Sequence, residues 1–255
     1  MTTLRLDRQG PVVTLTINRP KVRNAFNAAL IEDLREAFAA LTPSDHVVVL
    51  TGAGKAFCAG ADLAWMQASA TLSEEDNVRE ATTLANLFRS IDTTPRVVIG
   101  RVNGLALGGG VGLLACCDIA VSAASAEFAF SEVRLGLAPA VISPFVVRKI
   151  GRSWARRYFL TGERFDAATA RLMGLVHDVV DDDALDDAVG ALVTTVLRNG
   201  PQAMIETKQL VRQVTTHAPQ EALDYAIQTI ARLRTSPEGQ EGVRAFLEKR
   251  APRWP

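Results

Sequence analysis

The run Val102-Asn103-Gly104-Leu105-Ala106-Leu107-Gly108-Gly109-Gly110-Val111-Gly112 constrains this chain more than any other stretch. A β-rich segment leads into a glycine triplet that opens a helix. Backbone of that kind can turn N–H groups toward negative charge, because no side chain stands in the way. A second turn of the same type lies upstream, where Val47 to Leu50 gives way to Gly52-Ala53-Gly54-Lys55-Ala56-Phe57-Cys58-Ala59-Gly60-Ala61-Asp62-Leu63. Two donors on two separate turns are what an oxyanion hole requires, since each N–H must already aim at the place where a carbonyl oxygen gains charge. Close packing of a helix on a strand is the plainer use of a glycine triplet, and on Gly108 to Gly110 alone it is the favoured one.

A chain of 255 residues with 48% hydrophobic content supplies a sizeable core, as one large domain or a domain with an appendage. Lys plus Arg and Asp plus Glu are equal at 28 each. There is no global field to draw in nucleic acid or an anionic membrane, so any anion binding must be local. Cys58, Cys116 and Cys117 are an odd set without CxxC spacing, and the adjacent pair would make a strained disulfide. Reduced packing thiols of a cytoplasm are expected. Met1-Thr2-Thr3-Leu4-Arg5-Leu6-Asp7 alternates without the apolar core of a signal peptide, and no apolar run reaches membrane-spanning length. A soluble, cytoplasmic protein with no membrane or nucleic-acid partner is the expectation.

Leu4 to Leu6 and Val12 to Ile17 read as strands joined at Gln9-Gly10-Pro11. Asn27 can cap a helix whose stripe is Leu30, Ile31, Leu34, Phe38 and Leu41, ended by Pro43. The strand Val47 to Thr51 follows. A polar helix between Ser73 and Arg89 then leads to the strand Arg96 to Val102, the glycine turn, a short helix and the apolar segment Ile119 to Ser122. Strand, turn and helix recur, and parallel strands need such crossovers, so the first two thirds predict an α/β core. After Asp181 the chain reads as helical: Leu185, Val189, Leu192 and Val196 form one stripe, Pro201 starts a second helix, Leu223, Ile227 and Ile230 mark a third, and Ser236-Pro237 starts a fourth.

The two glycine-bearing turns resemble those of the crotonase superfamily, the enoyl-CoA hydratases and isomerases, which bind acyl-CoA thioesters and hold the thioester oxygen with two backbone N–H groups. The likeness extends over nearly the whole chain, through Asn18-Arg19-Pro20-Lys21-Val22-Arg23-Asn24-Ala25, Ser131-Glu132-Val133-Arg134-Leu135-Gly136-Leu137-Ala138-Pro139 and Phe246-Leu247-Glu248-Lys249-Arg250. It implies an α/β fold: a ββα spiral over residues 1–195 carrying the CoA and active sites, and a C-terminal helical region, 196–255, for trimer assembly and pocket closure. The implied oxyanion donors are Ala61 and Gly109, and the implied catalytic carboxylate is Glu132. Apolar neighbours in Phe128-Ala129-Phe130 would raise its pKa into acid–base range, whereas the plain alternative pairs it with Arg134 at the surface. The implied substrate contacts are Lys21, Arg23, Ala25, Ala59, Asp62, Leu63, Gly108, Gly112, Phe246 and Lys249, with Lys249 reaching over from a neighbouring subunit. For Lys21, Arg23 and Lys249 ordinary solvated charge is the competing reading, and for Asp62 it is a helix cap.

Gly112 is the departure. Typical hydratases of the family carry a second glutamate there to grip the attacking water, so a two-glutamate hydration is in doubt for this chain. A single glutamate can hold water, pass its proton and protonate the enolate, or it can carry a proton between carbons as an isomerase does. Ser131 to Lys149 and Ser236 to Gly242 resemble the bacterial methylglutaconyl-CoA hydratase branch of leucine and isoprenoid catabolism, which favours hydration or its reverse. Trp65, Met66, Val141, Ile142 and Phe145 would set acyl size, with plain core the equal alternative for each. No cofactor is expected beyond the coenzyme A of the substrate itself. His46, His177 and His217 lack metal-ligand spacing, Asp181-Asp182-Asp183 suits a helix start, the glycines match neither a dinucleotide fingerprint nor a P-loop, and no GxSxG elbow is present. The expected activity is hydration of an α,β-unsaturated acyl-CoA by a homotrimer or homohexamer. The alternatives are a 3-enoyl to 2-enoyl-CoA isomerase or a non-catalytic CoA- or RNA-binding homologue.

Overall fold

The computed structural model describes residues 2–254; Met1, which begins the stretch read above for a signal peptide, and Pro255, the last residue of the expected helical region, lie outside them. Along the chain run β1 (Leu4–Gln9), β2 (Val12–Ile17), α1 (Ala28–Ala39), β3 (Val47–Gly52), β4 (Ala56–Cys58), α2 (Leu63–Ser69), α3 (Glu74–Thr93), β5 (Val97–Val102), β6 (Leu105–Leu107), α4 (Gly109–Cys116), β7 (Ile119–Ala123), β8 (Glu127–Ala129), α5 (Ser143–Thr161), β9 (Arg164–Asp166), α6 (Ala167–Leu172), β10 (Asp178–Val180) and α7 (Leu185–Leu197). Three helices complete it: α8 (Pro201–Thr216), α9 (Pro219–Thr235) and α10 (Pro237–Leu247). The chain groups into two compact units, one holding the residues up to Thr94 with Val98–Ala191, the other Pro95–Val97 with the residues from Leu192 on.

Two sheets organise the first unit, a six-stranded one in the order β1-β2-β3-β5-β7-β10 and a four-stranded one in the order β4-β6-β8-β9. β1 and β2 form an antiparallel hairpin, and β2 then pairs parallel with β3. The successive pairs β3–β4, β5–β6 and β7–β8 each place their first strand in the large sheet and their second in the small one, and a helix follows each pair. That is the ββα spiral. The small sheet escapes a reading of the sequence because each of its strands has three residues, too short to show a period of two.

Every residue of β3 is buried, as Val-Val-Val-Leu-Thr-Gly suggests for a strand covered on both faces, while β2 alternates with Val13, Leu15 and Ile17 inward. The Asn27 side chain accepts from the Leu30 N–H and starts α1, whose buried face is Leu30, Ile31, Leu34, Ala37 and Phe38. The helix stops at Ala39, so Leu41 packs on the core from beyond its end. Ser73 caps α3, which continues past the expected Arg89 to Thr93. In α4 every residue from Gly110 to Cys116 is buried, the environment an all-apolar helix requires. The three cysteines are free and buried. Among the described residues no helix is long and apolar enough to cross a membrane.

In the second unit two buried glutamates do structural work. Glu238 accepts from the Gln202 and Ala203 N–H groups at 2.9 and 2.7 Å, capping the Pro201 start of α8. Glu206 makes a two-pronged ion pair with Arg232, both contacts at 2.7 Å, and accepts from Gln202 as well, so the buried charge is matched and hydrogen-bonded. Leu223, Ile227 and Ile230 do recur on α9 as a stripe, yet all three remain about half exposed in the single chain.

Glycines test the packing directly. A Cβ on Gly110 would lie 2.2 Å from the Cys58 carbonyl oxygen, whereas one on Gly190, in the middle of α7, meets nothing. Gly110→Ala is therefore expected to cost about 1–3 kcal/mol or more, and Gly190→Ala to add roughly 0.5–1 kcal/mol. Urea denaturation of the two variants checks both signs.

Candidate active site

The first turn is built by one residue's backbone. The Phe26 N–H donates to Gly60 O at 2.7 Å and Phe26 O accepts from the Asp62 N–H at 2.8 Å, a parallel bridge that pairs Phe26 with Ala61. Because donors alternate sides along extended chain, the Ala61 N–H faces away from Phe26. Asp62 is anchored at both oxygens, one accepting from the Ala64 N–H at 2.9 Å as the cap of α2, the other paired with Arg19 at 2.8 Å. Arg19 also donates to Ala25 O. The Asn24 side chain donates to Ala53 O and Ala56 O at 2.9 and 2.7 Å, and Asn103 donates to Gly52 O and Gly54 O at 2.9 and 2.8 Å.

The second turn joins β6 to α4. Gly108 adopts φ 48°, ψ −116°, a conformation a side chain would strain, and its N–H donates to Ala129 O. Gly109 is the first residue of α4, so its N–H has no partner within the helix. Among the described residues neither the Ala61 nor the Gly109 N–H donates to a protein acceptor. Both residues line one cavity of about 360 Å³. The two turns abut: a Cβ on Gly60 would stand 2.9 Å from Leu107 O. The triplet thus serves three purposes, with Gly108 making the turn, Gly109 presenting a donor and Gly110 giving the close helix–strand approach considered from the sequence.

Glu132 stands on the 3₁₀ turn Glu132–Leu135 after β8 and lines the same cavity. Its Oε1 packs against Gly108, where a Cβ would come within 2.9 Å of it, and its Oε2 is buried without a hydrogen-bond partner among the described residues. Burial pushes its carboxyl above the ordinary glutamate range, offset in part by its own backbone N–H. Arg134, the partner considered from the sequence, lies instead against Gly162.

Of the remaining expected contacts, Ala59, Gly108 and Leu63 line the cavity. Trp65, Met66, Val141 and Ile142 do so too, while Phe145 packs on Phe88, with ring centroids 5.9 Å apart. Gly112 is buried beside it, and a Cβ there would sit 2.4 Å from Ile142 Cγ2. Lys21 and Arg23 are exposed on the turn after β2, Arg23 in the left-handed region with its carbonyl accepting from the Ala59 N–H; Ala25 is buried. Phe246 and Lys249 are exposed residues of the C-terminal unit. Arg19, Asn24 and Asn103 went unassigned in the sequence although they stand in the segments that carry the resemblance. For Asn103 a polar side chain within a glycine-bearing turn was the signal, whereas Arg19 and Asn24 stand in a segment without glycine.

Burial raises the Cys58 thiol to about 12, so it is no nucleophile at neutral pH. His177 Nδ1 accepts from the Ala120 N–H, and among the described residues no group of three or more His, Cys, Asp or Glu could hold a metal.

The comparisons place the chain in a family. The family model described as enoyl-CoA hydratase/isomerase matches residues 7–255. An enoyl-CoA hydratase crystal structure from Shewanella pealeana superposes with a TM-score of 0.95 at 40% identity, covering 99% of this chain and 96% of that one. The 2,3-dehydroadipyl-CoA hydratase of Escherichia coli is 36% identical over 99% of this chain and 98% of its own. Mevalonyl-coenzyme A hydratase of Aspergillus fumigatus is 35% identical over 95% and 91%. Matched along almost its whole length and in its three-dimensional course, the chain belongs to the enoyl-CoA hydratase/isomerase family.

Proposed function

We propose that this enzyme adds water reversibly across the C2–C3 double bond of an enoyl-CoA, with Glu132 as its single acid–base group. The observation that carries the reading is one carboxylate, partnerless at Oε2, in the cavity lined by two undonated N–H groups on facing turns. Water oxygen bonds to C3 as Glu132 takes its proton, and the π electrons move into the thioester carbonyl. The enolate oxygen is held by the Ala61 and Gly109 N–H groups, each worth roughly 2.7–4 kcal/mol. Glu132 then gives a proton to C2. A carboxyl whose pKa is raised toward neutrality serves both halves of this cycle.

The Gly112 position offers no second carboxylate, since Ile142 and Phe88 fill the space a side chain would need. Hydrocarbon in place of a water-gripping group is the specific support for the other reading, transfer of a proton between C4 and C2 of a 3-enoyl-CoA by the same Glu132. Loss of the conjugated absorbance of a 2-enoyl-CoA supports hydration; no loss, with conversion of a 3-enoyl-CoA, supports the isomerase. For the acyl group, the likeness to the methylglutaconyl-CoA branch names one candidate, whose terminal carboxylate finds no Lys, Arg or His among the described residues that line the cavity. Lys21 and Arg23 are assigned to the CoA phosphates. Phe246 and Lys249 are assigned to CoA contacts made from a neighbouring subunit of a trimer, the assembly that would cover the exposed Leu223, Ile227 and Ile230.

Glu132→Gln is expected to lower turnover by about 10²–10⁴-fold with acyl-CoA binding retained, measured by steady-state kinetics and calorimetry. Unchanged turnover removes Glu132 from the mechanism, and a parent protein that binds acyl-CoA without turning it over is a binding protein. The raised pKa also fixes a stability sign. The folded state holds the Glu132 proton to higher pH than the unfolded chain, so stability falls as pH rises from the ordinary glutamate value of about 4.3 through the raised one. Glu132→Gln is accordingly expected to melt higher than the parent at about pH 8, with the gap closing toward about pH 4.

A further inference from the structure

Trp65 forms part of the cavity wall, and its indole N–H donates to Glu80 Oε1 at 3.3 Å. The other Glu80 oxygen accepts from Ser69 Oγ at 2.7 Å. One carboxylate on α3 thus grips α2 at two residues a helical turn apart, and the largest side chain in the wall is held against swinging. Depth within the cavity follows from exposure. Leu63, Leu135 and Leu137 are 82%, 58% and 57% exposed and stand at the mouth, whereas Trp65, Met66, Leu84, Val141 and Ile142 are partly or wholly buried. An acyl group whose thioester oxygen lies between the Ala61 and Gly109 N–H groups has this inner wall ahead of it. Among the described residues no Lys, Arg or His side chain lines the cavity, and Glu132 is the one charged side chain that does. A second carboxylate at the far end of an acyl chain would lose water, gain no cation and face a like charge.

We propose that the site selects acyl groups with neutral, apolar tails, and that Trp65, held by Glu80, is the specificity-determining residue that sets the length of tail admitted. The inference rests on the oxyanion-hole reading above and goes beyond it by choosing the substrate class. It sets this chain apart from its relative named for 2,3-dehydroadipyl-CoA, and from a methylglutaconyl substrate, since both acyl groups end in a carboxylate.

Titration calorimetry with saturated thioesters tests the choice without needing turnover. Hexanoyl-CoA and adipyl-CoA differ only in a terminal methyl against a carboxylate, and the wild-type protein is expected to bind the first at least about tenfold more tightly. Equal or tighter binding of adipyl-CoA overturns the proposal. In Trp65→Ala the ratio of decanoyl-CoA to butyryl-CoA affinity is expected to rise at least about tenfold. Trp65→Phe, which keeps a ring and loses the N–H, and Glu80→Gln are expected to move it the same way by less. An unchanged ratio in folded variants, checked by circular dichroism, removes Trp65 from the role. Hydration of 2-hexenoyl-CoA is a separate readout: hexanoyl-CoA binding without it refutes the hydratase reading while the tail preference stands on its own result.

Discussion

Phe26 holds both halves of the site. Its peptide group ties Gly60 and Asp62 and leaves the residue between them, Ala61, with a donor turned outward. Its ring lies beneath the second turn, where a Cβ on Gly109 would come within 3.1 Å of the ring. The side chain is buried and meets Phe88 edge-on at 6.3 Å between centroids. Preorganisation of an oxyanion hole means that its dipoles need not reorient when charge arrives. Here that rigidity comes from one aromatic residue serving two loops, supported by the Arg19–Asp62 pair and by the side chains of Asn24 and Asn103.

The proposed acid–base group is placed by the opposite strategy. The turn donors have their surroundings fixed by hydrogen bonds, whereas Glu132 Oε2 is buried without a partner among the described residues, which keeps its proton affinity high. Gly108 links the two arrangements, because the conformation that starts α4 also clears the room occupied by the carboxylate.

How much of this was legible depended on length and on who supplies the atoms. Strands β2 and β3 and helix α1 show in the sequence because six or more residues repeat a pattern of burial. The four-stranded sheet does not show, since three-residue strands such as Leu105–Leu107 leave no period to detect, and it is the sheet from which the two cavity-lining turns depart. Ala61, Gly109 and Glu132, which line one cavity, were picked out through resemblance, with the glycine turns as the physical clue, and their roles are proposals. Periodicity alone could not have shown that Gly110 packs on Cys58 while Gly109 presents a donor. Leu41 fell outside its helix because Ala40 already closes α1. The roles of Arg19 and Asn103 were hidden because Arg19 pairs with Asp62 and Asn103 donates to Gly52 O, partners distant in sequence that no local spacing reveals.

The neighbourhood of Gly112 carries a last consequence. Ile142 Cγ2 would stand 2.4 Å from any Cβ introduced there, so position 112 and position 142 share one volume. Evolutionary exchange between glycine and an acidic residue at the first site is thereby coupled to trimming at the second. A lineage passing between one-carboxylate and two-carboxylate chemistry would have to change the pair together, or cross an intermediate that is overpacked in one order and hollow in the other.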